Sequence, residues 1–168
     1  MFEHGLMVCE LTGLFSAPSK LTTMSETPFN GKVTSFEDLD AWKNSRAVKL
    51  RVRELIRTFP KEEQFRLTDQ IIRSSRSPGS QIAEGFGRFY EKDNVRYCRI
   101  GRGSLYETKN HLWDALDEGY IDRQTHEELC NLVVRAIQTL NGYIKYLKSM
   151  GNRYTVGEPG DMTEPDQP

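Results

Sequence analysis

Between Arg123 and Met150 the chain reads RQTHEELCNLVVRAIQTLNGYIKYLKSM. Leu129, Val133, Ala136, Ile137, Leu140, Ile144 and Leu147 recur there at steps of three and four, the spacing that gathers apolar side chains on one face of an α-helix. A helix of this length rises about 1.5 Å per residue and reaches about 40 Å. Its apolar stripe needs a cover, because helical stability in proteins comes mostly from packing an amphipathic face. The rest of the chain must therefore supply partners of similar length.

Working backward, Glu118-Gly119-Tyr120-Ile121-Asp122 puts glycine at one helix exit and aspartate at the next N-cap. A third helix is expected over Lys92 to Glu118, with Val95, Cys98, Gly101, Leu105, Thr108, Leu112, Ala115 and Leu116 on its inner face. Gly85-Phe86-Gly87-Arg88 turns the chain into it. A second helix is expected through Phe65, Thr68, Ile71, Ile72, Ser75, Gly79, Ile82 and Phe86. Pro78 falls inside that pattern while the apolar phase continues on both sides, which predicts a kinked helix, with Ser74 and Ser75 hydroxyls helping to satisfy freed carbonyls. Phe59-Pro60-Lys61-Glu62-Glu63 breaks the chain before it. In the first helix, ending near Thr58, Ala41, Ser45, Val48, Val52, Leu55, Ile56 and Phe59 share a face. Leu39, Trp42 and Leu50 lie off that stripe, an excess that a subunit interface would use. Short connections make neighbouring helices antiparallel, and no stretch alternates as a strand does. The expected fold is all-α, an antiparallel up-down-up-down four-helix bundle over residues 36–150 with a Pro78 kink in its second helix.

Residues 1–35 mix Gly, Ser, Thr and Pro without a sustained period and read as a disordered extension. Translation is expected to begin downstream, at Met24 for example. Residues 151–168 form an acidic, Pro-rich tail. The net charge of -1 conceals an asymmetry, since residues 36–150 hold 20 Lys and Arg against 17 Asp and Glu. The expected bundle is thus mildly basic. Cys9, Cys98 and Cys130 are odd in number and lack CxxC spacing, which suggests neither a disulfide framework nor a zinc knuckle and favours a reducing, cytoplasmic setting. The apolar stretch from Gly5 to Ala17 is interrupted by Glu10 and lacks a preceding basic cluster, so it reads neither as a secretory signal nor as a membrane span.

Several segments occur in the order found in one known family: Phe36-Glu37-Asp38-Leu39-Asp40-Ala41-Trp42, then Phe59 to Glu63, Leu67-Thr68-Asp69-Gln70-Ile71, Ile82-Ala83-Glu84-Gly85-Phe86-Gly87-Arg88, and Arg102-Gly103-Ser104-Leu105-Tyr106-Glu107. Over about 115 residues the chain resembles the four-helix-bundle proteins called intervening-sequence or S23-type, encoded within intervening sequences of bacterial 23S rRNA genes. These are related to the accessory variability protein of diversity-generating retroelements, a pentameric barrel that binds nucleic acid and a reverse transcriptase. The resemblance implies a homopentamer of bundles with a basic surface, with RNA or DNA and a reverse transcriptase or another protein as partners and no membrane. The chain departs from the family pattern at Ser74-Ser75-Arg76-Ser77-Pro78-Gly79-Ser80-Gln81, where a more apolar stretch is usual. That departure predicts looser packing or polar groups in need of partners.

The charged residues carry the functional expectation. Arg73, Arg76, Arg88, Lys92, Arg96 and Arg99 crowd the second and third helices, with only Glu84, Glu91 and Asp93 as local acids. Guanidinium forks suit phosphate oxygens, and Phe89, Tyr90 and Tyr97 interleave as stacking surfaces for unpaired bases. A solvated, ion-paired helix face is the plain alternative. Glu84, Arg102 and Glu107 are expected to form a structural polar cluster instead. Gly101-Arg102-Gly103-Ser104 lacks the preceding strand of a phosphate loop. His111 and His126 lack the Glu-x-x-His pairs of a di-iron bundle. An all-helical ribonuclease would want Arg and His four to six residues apart, which neither Arg102 with His111 nor Arg123 with His126 provides. Cys98 and Cys130 read as small core residues, and Trp42 and Trp113 as packing anchors. The expected function is a non-enzymatic, oligomeric nucleic-acid-binding or adaptor protein without cofactor or metal, the alternative being a pure protein-interaction scaffold.

Overall fold

The computed structural model describes residues 33–88 and 90–154, with side chains to residue 150. The expectations for residues 1–32 and 155–168 lie outside the described residues, while residues 151–154, expected as the start of the tail, continue the last helix. Four α-helices follow one another: α1 Asp40–Leu55, α2 Leu67–Gly87, α3 Glu91–Asp117 and α4 Arg123–Tyr154. No strand occurs among the described residues. No described helix is long and apolar enough to cross a membrane.

The helix boundaries have local causes. A short 3-10 turn, Phe36–Asp38, precedes α1 and is held by a capping box. Ser35 accepts from the Glu37 amide and Asp38 accepts from the Ser35 amide at 2.9 Å. The Thr34 amide, with that of Ser35, donates to the Asp38 carboxylate and holds it below its usual range. Gly119, with φ of 71°, closes α3 in the left-handed region that glycine enters freely. Asp122 then caps α4 by accepting from the Thr125 amide at 2.7 Å. The second helix starts later than its apolar pattern suggests. Phe65 lies in the turn before it and is 86% exposed.

Each helix packs on its sequence neighbours, and α1 closes the ring against α4. On the α2–α3 seam, Gly85 faces Asn94 and Tyr97, Pro78 faces Gly101, Ser77 faces Ser104, and Ser74 faces Thr108. As the number falls along α2 it rises along α3, the register of helices running in opposite directions. At one end of the bundle the Tyr120 hydroxyl donates to Glu63 at 3.3 Å, while the Phe59 and Tyr120 rings meet at 5.5 Å. The α1–α2 and α3–α4 connections are thereby joined. The core between the helices holds Val48, Val52, Ile71, Ile82, Leu105, Leu112, Leu129, Val133 and Leu140, all essentially inaccessible. Leu39 belongs to this core at 8% exposure, so the apolar surface expected of it at a subunit interface is consumed inside the chain.

Helix α2 runs through Pro78 as one element. Proline lacks an N–H, so the Ser74 carbonyl loses its usual helical donor. The hydroxyls nearby do not take that role: Ser74 donates to the Ile71 carbonyl at 3.3 Å and Ser75 to that of Ile72 at 3.1 Å. The serine-rich stretch instead finds partners across the seam. Ser77 and Ser104 oxygens lie 2.9 Å apart, and Ser74 and Thr108 oxygens 3.0 Å apart. Small residues let these hydroxyls meet, whereas Gln81 Oε1, at the end of the stretch, is buried without a hydrogen-bond partner among the described residues.

A glycine in this seam and one on the exposed face of α3 should behave oppositely. A Cβ on Gly85 would stand 2.7 Å from Asn94 Oδ1 and 3.2 Å from the Asn94 Cα. Gly103 has open space around it. Gly85→Ala is expected to lower stability by about 1–3 kcal/mol through overpacking, and Gly103→Ala to raise it by about 0.5–1 kcal/mol. Urea unfolding of both variants checks the signs.

Candidate nucleic-acid interface

The interface candidates begin with the phase of α3. Its inner face is fixed by Val95, Cys98, Gly101, Leu105, Thr108 and Leu112, all buried. One hundred degrees per residue then turns Lys92, Arg96 and Arg99 outward at steps of four and three, and all three are exposed. Tyr106, seven residues beyond Arg99, continues the stripe at 56% exposure. Gly103 sits between them without a side chain. Among the described residues, no carboxylate pairs with Lys92, Arg96 or Arg99, nor with Arg76.

The other expected phosphate contacts are occupied or face elsewhere. Arg73 is paired with Asp69 at 2.9 Å. Arg88 is held by Glu84 at 2.6 and 3.1 Å, donates to the Tyr97 hydroxyl at 3.0 Å, and lies over the Tyr97 ring at 5.1 Å. The Glu84 carboxylate raises the Arg88 pKa further. Arg88 thus closes the end of α2 onto α3, and Tyr97 is used as its platform. Arg76 lines a cleft on the α1 side of α2. Phe89 lies outside the described residues, and Tyr90 is 76% exposed at the start of α3. The basic surface expected to span two helices therefore separates into an outward face of α3 and the cleft beside α1.

The expected polar cluster of Glu84, Arg102 and Glu107 does not form. Glu84 serves Arg88, Arg102 donates to Asn141 Oδ1 on α4 at 2.8 Å, and Glu107 lies 3.9 Å from His111. Helical phase explains this, because Arg102 faces α4 while Glu84 lies at the α2 terminus. The polar group that does organise the core was missed in the sequence. Asn94 is 6% exposed; its Nδ2 donates to the Tyr143 hydroxyl at 3.0 Å, and its Oδ1 lies 3.4 Å from Cys98 Sγ. Its position one helical turn before Cys98, on the inner face, was the available signal.

The other chemically active side chains are enclosed. Cys98 is fully buried, and desolvation pushes its thiol up to about 12. Cys130 is half-buried, with Sγ 3.4 Å from His126 Nε2, and burial raises its thiol as well. His126 lies under the Trp113 ring at a centroid distance of 4.2 Å, while His111 Nδ1 is 3.2 Å from Asp114. Trp113 is 45% exposed, so it covers the histidine from outside instead of anchoring the core. No group of three or more His, Cys, Asp or Glu is arranged to hold a metal among the described residues.

A family model described as 23S rRNA-intervening sequence protein matches residues 37–142. A solved structure, described as a protein with unknown function from the S23 ribosomal protein family of Bacteroides thetaiotaomicron, is 24% identical. The similarity covers 62% of this chain and 98% of that one, with a TM-score of 0.58, and supports the helical fold. No curated protein matches the chain.

The Cys98 environment has a measurable consequence. Against an ordinary thiol, a pKa of about 12 leaves roughly a thousandfold less thiolate near pH 8. Iodoacetamide at pH 8 should therefore spare Cys98 in the native protein and alkylate it in urea, as read site by site by mass spectrometry. The linked stability is full below about pH 8.5, where unfolded thiols are still protonated, and is lost as the pH rises toward 12.

Proposed function

The chain belongs to the 23S rRNA-intervening sequence protein family, and from its α3 face we propose a non-enzymatic, oligomeric nucleic-acid-binding or adaptor protein that meets phosphate through Lys92, Arg96 and Arg99. The observation that carries this reading is one exposed stripe with three cations, no carboxylate partner and Tyr106 in continuation. Unpaired guanidinium groups release counterions when they meet a phosphate backbone, and an adjacent aromatic ring accepts a base face without regard to sequence. Gly103 leaves space for a strand to approach between Arg99 and Tyr106. A binding role is favoured over catalysis by the burial of Cys98, His111 and His126.

Family resemblance supports assembly as a homopentamer, in which the stripe would recur five times and its field would add. A reverse transcriptase or another protein is the partner that an adaptor role would recruit. The scaffold reading draws support from Tyr106 and Trp113, exposed seven residues apart on α3. It differs in requiring a protein partner to co-purify while nucleic acid stays unbound.

Fluorescence anisotropy with a labelled single-stranded RNA tests the leading reading. The logarithm of the affinity should fall with the logarithm of salt, with a slope of about -2 for each protomer engaged, and Arg96→Glu with Arg99→Glu should weaken binding at least roughly tenfold. Affinity indifferent to both salt and charge reversal would refute it. Native mass spectrometry should find assemblies near five times the 19.4 kDa chain. A monomer at micromolar concentration would remove the pentamer.

A further inference from the structure

A second basic feature lies where the expected interface did not place it. Between α1 and α2 is a cavity of about 250 Å³ lined by Arg46 and Lys49 from α1 and by Arg76 and Gly79 from α2, with Trp42 as an apolar wall. No carboxylate lines it. Arg46 and Lys49 are three residues apart on one helix, so their like charges are neighbours that repel. Arg76 adds a third positive charge from the opposite wall, and none of the three has an acidic partner among the described residues.

The neutral groups in the cavity also fit an anion. Trp42 is fixed edge-on to Phe36 at 5.3 Å, and its Nε1 lies 3.6 Å from where a Cβ on Gly79 would stand. That indole N–H donates to no group among the described residues. The Ser45 and Ser75 hydroxyls are already donating to the Ala41 and Ile72 carbonyls, at 2.7 and 3.1 Å. The Ser80 hydroxyl likewise donates to the Arg76 carbonyl at 3.4 Å, so donors for a ligand come from three cations and one indole. The volume falls just below the roughly 300–1,000 Å³ of sites that enclose a whole drug-sized ligand. It suits a phosphoryl group and part of the moiety that carries it.

We propose that this cleft is a seat for a nucleotide phosphoryl group, carried by a free mononucleotide or by the 5′ end of a nucleic-acid strand. Arg46, Lys49 and Arg76 neutralise the phosphoryl charge, and the Trp42 wall meets the attached nucleoside. Binding relieves the repulsion between Arg46 and Lys49, so the ligand stabilises the folded chain. The site stands apart from the outward face of α3 and does not depend on strand binding there.

Isothermal titration of the full chain with adenosine 5′-monophosphate and with adenosine tests the phosphoryl requirement. The monophosphate should bind at least about tenfold more tightly, and Arg76→Gln and Lys49→Gln should each weaken it on the order of tenfold. Arg57→Gln, an exposed cation outside the cleft, should leave that affinity unchanged. Circular dichroism confirms that the variants fold, and both substituted residues reach solvent. Oligonucleotides with and without a 5′-phosphate separate the sources: a preference for the phosphorylated end assigns the strand terminus, and its absence alongside monophosphate binding assigns the free nucleotide. Equal binding of monophosphate and adenosine, or wild-type affinity in both folded cleft variants, overturns the proposal. Mononucleotide titration contains no strand, so failure here is distinguishable from failure of the α3 interface.

Discussion

The close approach of α2 to α3 is the constraint from which the other features follow. Gly101 brings α3 onto Pro78, with a Cβ there coming within 3.4 Å of the Pro78 Cα, and Gly85 admits Asn94 and Tyr97. Beyond Gly101 on the same seam the hydroxyls of Ser77 and Ser104, and of Ser74 and Thr108, meet in pairs. Removing bulk allows short polar contacts in a place where unpaired hydroxyls would cost about 1–3 kcal/mol each. The same seam sets the rotation of α3, and with it the outward direction of Lys92, Arg96 and Arg99.

Most of the fold was legible because helices of this length repeat their apolar signal many times. In α4 the steps from Leu129 to Leu147 admit one phase, and that stripe is buried. The glycine exit at Gly119 and the Asp122 cap were readable for a similar reason, since a positive φ and an exposed amide each demand particular side chains. Two of the misjudged residues, Phe65 and Leu39, lie at helix ends, where periodicity is weakest. Phe65 continues an apolar pattern but falls before the first turn of α2, whereas Leu39 departs from the α1 stripe because it precedes the helix and folds inward.

The candidate site was less legible because charge has no period of its own. A run of cations along the chain does not reveal which of them has a carboxylate one turn away, yet Asp69 beside Arg73 and Glu84 beside Arg88 make the difference between an occupied and an available guanidinium. Nor does it reveal rotation about the helix axis. Arg76 and Arg96 belong to one basic segment in sequence and to different surfaces in space. Asn94 was overlooked for a related reason: a lone amide among apolar positions becomes meaningful only once Tyr143 arrives from a helix about fifty residues later.

The contact of Tyr120 with Glu63 and Phe59 ties two loops that are far apart in the chain. Peptide continuity at that end is consequently duplicated by a noncovalent clasp. If a protease cut the connection between α1 and α2, the severed pieces would stay side by side, α1 still gripped by α4 and the rest by the remaining hairpins. The bundle can thus be divided there and remain one object.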